Sequence, residues 1–321
     1  MCGENMLIGL AGVLAATAPL IFAVVGETIT ERAGVINLSL NGLILLSAMG
    51  SFAVAVTTDS LVLGFLAGAG IGAAVALVVA FCSITLRQSQ VAVGFVLALL
   101  CRDLSYFLGN PFMNRPGPVV PSFRLPHALS IDTVTVLSLA AIVLAWVWFF
   151  KTRPGLVLRG LGEQPAAAYV RGVPVNRLRY LYTMLGGAVV GLAGPAYSLS
   201  VKAGWRGTIS GLDGIGWIAL AIVIFGGWNP VRAALGAYLF GILQWLGVAL
   251  QPALPGVPSQ VLQVAPFPVM ILTLLFVSIG NAEWVARTIS RLPLRGRRFL
   301  TRALRSLEAR PPASLGVPFE G

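Results

Sequence analysis

Two asparagines four residues apart, Asn37 and Asn41, sit in the run RAGVINLSLNGLILLSAMGSF, within an otherwise apolar stretch. On a helix that spacing turns both amides to one face, with Ser39 and Gly42 beside them. Amides at such depth either face an aqueous path or hydrogen-bond neighbouring helices, and residue chemistry alone leaves both readings open. A second polar group is Asp213, the one acid of KAGWRGTISGLDGIGWIALAIVIFGGWNPVRAALGAYLFG. Glycines at 204, 207, 211, 214, 216, 226 and 227 interrupt that segment. Broken membrane helices bare backbone groups that only protein or water can satisfy. Trp217 falls inside the run, whereas Trp205 and Trp228 suit belts at the two membrane interfaces. Before the first region, GETITERAG sets Glu27, Glu31 and Arg32 at an expected inner interface. The two acids share a helix face if the helix continues that far.

Covalent chemistry finds little to work with. His127 is the one histidine and lies beside a proline, so no nucleophile–histidine–acid set can form around it. Cys2, Cys82 and Cys101 are scattered and propose neither a disulfide framework nor a metal site. No GxxxxGK[ST] phosphate loop occurs, so the chain by itself binds no ATP and is expected to hold no cofactor.

The elements that must carry these residues are membrane helices. Of the 321 residues 57% are hydrophobic and 10% charged, and mean hydropathy is +0.88, against about 25% charged in soluble domains. An all-α polytopic membrane protein follows. Apolar runs mark about nine crossings, at 6–26, 34–57, 61–84, 90–109, 129–150, 180–200, 213–228, 233–250 and 266–286. The opening run lacks a basic leader and reads as a first crossing rather than a signal peptide. The seventh run is short and glycine-bounded, fitting either a full crossing or a broken or re-entrant piece. With the N-terminus outside, 17 of the 22 Lys and Arg fall inside: Arg32, Arg87, the six from Lys151 to Arg179, Arg232, and the eight beyond residue 286. Arg102, Arg115, Arg124, Lys202 and Arg206 are assigned to the outside and outer helix ends. The chain divides into a transmembrane part, 1–286, and a basic tail, 287–321. The tail holds topology and touches anionic lipid rather than a nucleic-acid polymer. The outer stretch GNPFMNRPGPVVPSFRLPHALSID is a lid or an irregular connector.

Between two crossings lies the polar stretch GLGEQPAAAYVRGVPVNRLRYL, within an inside loop of about 151–179. Pro165 can occupy an early helix turn, Ala166, Ala167 and Ala168 favour helix with a small surface, and Gly172 can end it before Pro174.

Three motifs, ERAGVINLSLNGLILLSAMGSF, LGEQPAAAYVRGVPVNRLRYLYTMLGGAVVGLAGPAYSL and GIGWIALAIVIFGGWNPVRAALGAYLFG, together resemble the inner-membrane permeases of ABC importers for simple sugars and nucleosides. That group lies within the wider one of ribose and branched-chain amino acid permeases. The resemblance implies the type II, ribose-permease-like importer fold in the bacterial cytoplasmic membrane, with the C-terminus inside. It implies a second permease subunit, with a heterodimer suggested, and a pair of cytoplasmic ATPases that hold ATP and Mg. An extracytoplasmic binding protein would deliver a small polar substrate. Within such a transporter the polar, glycine-rich surroundings of Asn37, Ser39, Asn41, Gly42, Asp213 and Trp217 place these residues on the translocation path. Gly162, Glu163, Pro165, Ala166, Ala167, Ala168 and Gly172 become the coupling loop against the ATPase. Where the family commonly has Gly-Leu-Glu-Gly this chain reads Ser39-Leu40-Asn41-Gly42, and Ile215 replaces an arginine between two glycines. An ion-coupled secondary transporter, a permease for another polar solute such as an amino acid, and a scaffold subunit are the competing readings.

Overall fold

The computed structural model describes residues 2–125, 129–251 and 311–320, with 268 and 272 in addition. His127, the rest of the expected crossing at 266–286, and residues 287–310 of the basic tail lie outside the described residues. In chain order the helices are α1 (Cys2–Arg32), α2 (Leu40–Thr58), α3 (Leu61–Ala80), α4 (Gln90–Gly109), α5 (Thr133–Lys151), α6 (Arg153–Glu163), α7 (Pro165–Val170), α8 (Val175–Gly191), α9 (Ala193–Ala196), α10 (Ile215–Phe225) and α11 (Pro230–Leu250). Turns of π-helix at Phe81–Thr85 and Tyr197–Val201 extend α3 and α9. Among the described residues seven helical segments are long and apolar enough to cross a membrane. One hairpin departs from the all-α expectation: β1 (Ser122–Leu125) pairs antiparallel with β2 (Leu129–Asp132). It takes the first residues of the run at 129–150, so that crossing starts only at Thr133. The outer connector is therefore partly a hairpin.

Side-chain caps set several helix starts. The Ser60 hydroxyl accepts from Leu63 N–H and the Ser89 hydroxyl from Ala92 N–H, each at 3.4 Å. Both satisfy donors that a helix start leaves free. Inside the bundle, small residues bring backbones together. A Cβ at Gly72 of α3 would lie 2.1 Å from the Gly187 carbonyl of α8, and one at Gly191 would lie 2.3 Å from that of Gly68. Packing of this closeness is how membrane helices associate when burial of apolar surface gives no net drive. The spans of α1, α2 and α8–α9 are mostly buried, while α3, α4, α5 and α11 turn apolar faces outward.

Long-range contacts sort the connections into two ends. At one, Arg32 meets Glu163 at 3.2 Å, Ser314 N–H donates to Gly162 O at 2.8 Å, and Arg87 meets Glu320 at 2.7 Å. At the other, Asn114 N–H donates to Trp205 O at 3.1 Å and Val120 N–H to Leu199 O at 3.0 Å. These are the two ends that the Arg and Lys count separates. α11 runs antiparallel to α1, with Gly9 against Trp245 and Gly241 against Thr17. Residues 202–228 must therefore pass from one end to the other. They do so as an irregular stretch followed by α10, whose 11 residues rise about 16 Å, half a bilayer. The run at 213–228 is thus the helical half of a broken crossing. The run expected at 34–57 is also broken, because residues 34–37 are non-helical and α2 begins at Leu40.

Candidate functional site

Asn41 sits at the start of α2, 3% exposed. Its Oδ1 accepts from Gly214 N–H at 2.8 Å and Gly216 N–H at 3.4 Å, and its Nδ2 donates to Asp213 Oδ1 at 2.7 Å. The amide therefore caps α10 from a neighbouring helix, satisfying donors that the break leaves open. At the other end of α10, the Arg32 guanidinium donates to Trp228 O at 2.9 Å and Gly227 O at 3.4 Å. A cation is well placed on carbonyls just past a helix C-terminus. The buried Glu31 carboxylate accepts from the Trp228 indole N–H. Trp228 needs this hold, since its φ of 54° is unusual for a bulky residue. Both ends of the half-helix are thus held by α1 and α2.

The other Asp213 oxygen reaches α4. Arg102 Nε donates to Asp213 Oδ2 at 2.8 Å, and Tyr106 O–H donates to the same atom at 3.2 Å. The Arg102 guanidinium also lies 5.7 Å from the Tyr106 ring. The side chains of Arg102 and Asp213 are 40% and 35% exposed. Two turns before Arg102 and four residues after Asp213, the Phe95 and Trp217 rings stand 6.3 Å apart, with Trp217 36% exposed. Arg102 lies midway along the span Gln90–Phe112. A charged pair open at that depth cannot face hydrocarbon at acceptable cost, so this face turns to water or to another protein subunit.

Sequence reasoning therefore misplaced Arg102, which was assigned to the outer side. The available signal was an arginine inside an apolar run with Tyr106 one turn on. Trp205 and Trp228, expected in interfacial belts, are 1% and 4% exposed. Trp205 fills the space beside Gly109, where a Cβ would lie 2.1 Å from the indole nitrogen. Glu27, expected at the inner interface, has no solvent exposure. Its Oε1 accepts from Asn37 N–H at 3.3 Å, and its Oε2 has no partner.

Of the residues assigned to the path, the structure brings Asn41, Asp213 and, through Phe95, Trp217 together. Asn37 and Ser39 have no exposure and bond each other, the Asn37 amide oxygen accepting from both Ser39 N–H and Ser39 Oγ–H. Gly42 lies against α4, where a Cβ would stand 2.1 Å from Ala98 O. In this conformation these three stand behind the exposed face, inside the helix packing.

The polar loop folds as α6 and α7. The Thr152 hydroxyl accepts from Gly155 N–H at 3.2 Å to start α6, and Pro165 opens α7. Gly172 has φ +82° and closes α7, its N–H donating to Tyr169 O at 2.8 Å while Val173 N–H donates to Ala168 O at 3.1 Å. Only a residue at ease with positive φ fits that closing turn. Ala166, Ala167 and Gly172 are exposed, and Pro165 and Ala168 partly so. Gly162 and Glu163 belong instead to α6. Gly162 is buried against Arg32 O, and the Glu163 carboxylate meets Arg32 and Ala313 N–H. Val170 stands 86% exposed beside a groove of about 460 Å³ between α6 and α7, lined in part by Glu163, Ala167 and Arg171.

The chain is 37% identical to a protein of Haloferax volcanii named for a glucose ABC transporter, permease TsgC13, across 76% of this chain and 82% of that one. It is 32% identical to the nucleoside ABC transporter permease NupC of Lactococcus lactis subsp. cremoris, across 84% and 92%. It is 31% identical to the guanosine ABC transporter permease NupQ of Bacillus subtilis, across 83% and 90%. The family described as branched-chain amino acid transport system, permease component, matches residues 9–278. With that match over most of its length, and a bundle of membrane-crossing helices interrupted by a half-helix, the chain belongs to this family of transport permeases.

Proposed function

We propose that this chain is a transmembrane subunit of an ATP-driven importer and lines the path of a nucleoside or simple sugar. The observation that carries the reading is the mid-membrane face of Phe95, Arg102, Tyr106, Asp213 and Trp217. Aromatic rings stack on sugar or base faces, and a charged pair with a phenol meets hydroxyls, which suits a small polar solute. A second permease chain covers this face, completing a passage between subunits, and the family resemblance points to a heterodimer. The names of the relatives favour nucleosides and sugars over amino acids. The basic end is cytoplasmic, so α7 meets the ATPase there and an extracytoplasmic binding protein delivers substrate at the other end. ATP and Mg belong to the ATPase subunits.

The test is reconstitution in liposomes with the ATPase, second permease and binding protein encoded by adjacent genes. ATP-dependent uptake of labelled nucleosides or hexoses, absent with this chain alone, is the expected result. The buried carboxylates Glu27 and Glu31 favour one other reading, an ion-coupled carrier. Uptake by the chain alone, driven by a proton or sodium gradient, would establish that reading and end the first.

A further inference from the structure

We infer that residues 311–320 form a strap, docked in a built site around Arg179, that makes the α6–α7 segment and the unwound start of the second crossing move as one body. Besides α8, which carries Arg179, four parts of the chain make the site. Ser314 N–H donates to Gly162 O at 2.8 Å, and Ser314 Oγ–H lies 2.7 Å from the same oxygen at the end of α6. Gly316 N–H donates to Gly34 O at 3.0 Å, ahead of α2. The Phe319 ring stands 5.6 Å from the Tyr169 ring of α7. Glu320 pairs with Arg87 beyond α3.

Arg179 is the strongest sign that this site is built for the strap. It is 1% exposed in the second turn of α8, where a positive charge opposes the helix dipole. Its Nη1 donates to Val317 O at 2.9 Å and its Nη2 to Ser314 Oγ at 3.2 Å, while its Nε has no partner. Among the described residues the strap thus supplies both acceptors of a buried guanidinium, a group that is costly to bury unmatched.

The strap lies behind α7, leaving Ala166 and Ala167 exposed. A push on α7 passes through Tyr169 and Phe319 into the strap. From Gly316 it reaches Gly34 and Ile36, the latter 2.9 Å from where a Gly316 Cβ would stand. One residue on is Asn37, and beyond it Asn41, the cap of α10. The strap would therefore set the timing between ATP hydrolysis and movement of the half-helix. That consequence rests on the importer reading, whereas the docking does not.

Docking is tested by the pair Tyr169→Cys and Phe319→Cys in membranes holding the assembled complex. A short crosslinker is expected to join the two positions without substrate or ATP, and failure to join them would overturn the strap. Coupling is tested in liposomes with a chain ending after residue 310, and separately with Gly316→Val, which strains a φ of +77° and crowds Ile36. Substrate moved per ATP hydrolysed should fall about tenfold or more, the factor corresponding to about 1.4 kcal/mol. Hydrolysis itself should continue, and a synthetic peptide of residues 310–321 should restore uptake to the shortened chain. An unchanged ratio in both variants, or parallel loss of uptake and hydrolysis that the peptide does not mend, would overturn the coupling role. If the unaltered complex shows no ATP-dependent uptake, the importer reading falls while the crosslink still decides the docking.

Discussion

Exchanging the amide at 41 with the acid at 213 probes the bond network that joins α2, α10 and α4. In Asn41→Asp alone, the new carboxylate keeps its bond from Gly214 N–H but presents its second oxygen to Asp213, where Nδ2 donated at 2.7 Å. Two unit charges about 4 Å apart cost about 4 kcal/mol at an effective dielectric of about 20. Asp213 is 35% exposed, and solvent screening reduces that to about 2 kcal/mol. The population with α10 properly capped should therefore fall about 30-fold for each 2 kcal/mol. The double exchange, Asn41→Asp with Asp213→Asn, has a different outcome. The amide at 213 donates to the acid at 41, Gly214 N–H keeps an acceptor, and the amide oxygen at 213 still accepts from Arg102 and Tyr106. The assay is thermal unfolding of the solubilised permease, followed by uptake in the reconstituted complex. The single variant should lose both stability and uptake, and the double variant should regain most of the stability. A single variant as stable as the parent, or a double variant no better than the single, would refute the cap-and-bridge role of Asn41.

Three further outcomes follow from particular contacts. Gly72→Val should prevent the approach of α3 to α8, since its Cβ alone would lie 2.1 Å from Gly187 O, while Gly70→Ala should be silent because nothing lies within 4 Å; membrane yield and thermal unfolding check the contrast. Asp213→Cys and Trp217→Cys in an assembled complex should react with water-soluble thiol reagents faster than Asn37→Cys, whose site has no exposure, and the reverse order would move the path behind α2. Ala167→Trp places a large ring on the exposed side of α7, where overpacking an interface costs about 1–3 kcal/mol; uptake and coupled ATP hydrolysis should fall with insertion normal, and a fully active variant that shows no crosslink from position 167 to the ATPase would make α7 a mere connector.

Much of the architecture was legible because it depends on near neighbours in sequence. Runs of apolar residues long enough to cross a bilayer need no tertiary information, and neither does the separation of Arg and Lys between alternate connections. Pro165, the alanines and Gly172 likewise announce a short helix with a start and a stop, and α7 has that form. The glycines around Asp213 left a full crossing and a broken piece both open, and the structure has the broken one. What the bare chain left open was which way each polar side chain faces. Asn41 bonds to residues more than 170 positions away, Arg102 to one 111 away, and Arg179 to ones at least 135 away. No local periodicity encodes such pairs. Asn37 and Asp213 lie in the non-helical pieces just ahead of α2 and α10, and those helices are seated by close backbone contacts at Gly42 and Gly216, which a hydropathy pattern cannot register. Composition set the membrane class and the crossings, because the bilayer acts on each segment separately. Tertiary packing alone decided that Asn41 caps a half-helix, that Arg102 opens with Asp213 onto one face, and that residues 311–320 fold back onto Arg179, because each joins groups that only the assembled bundle brings together.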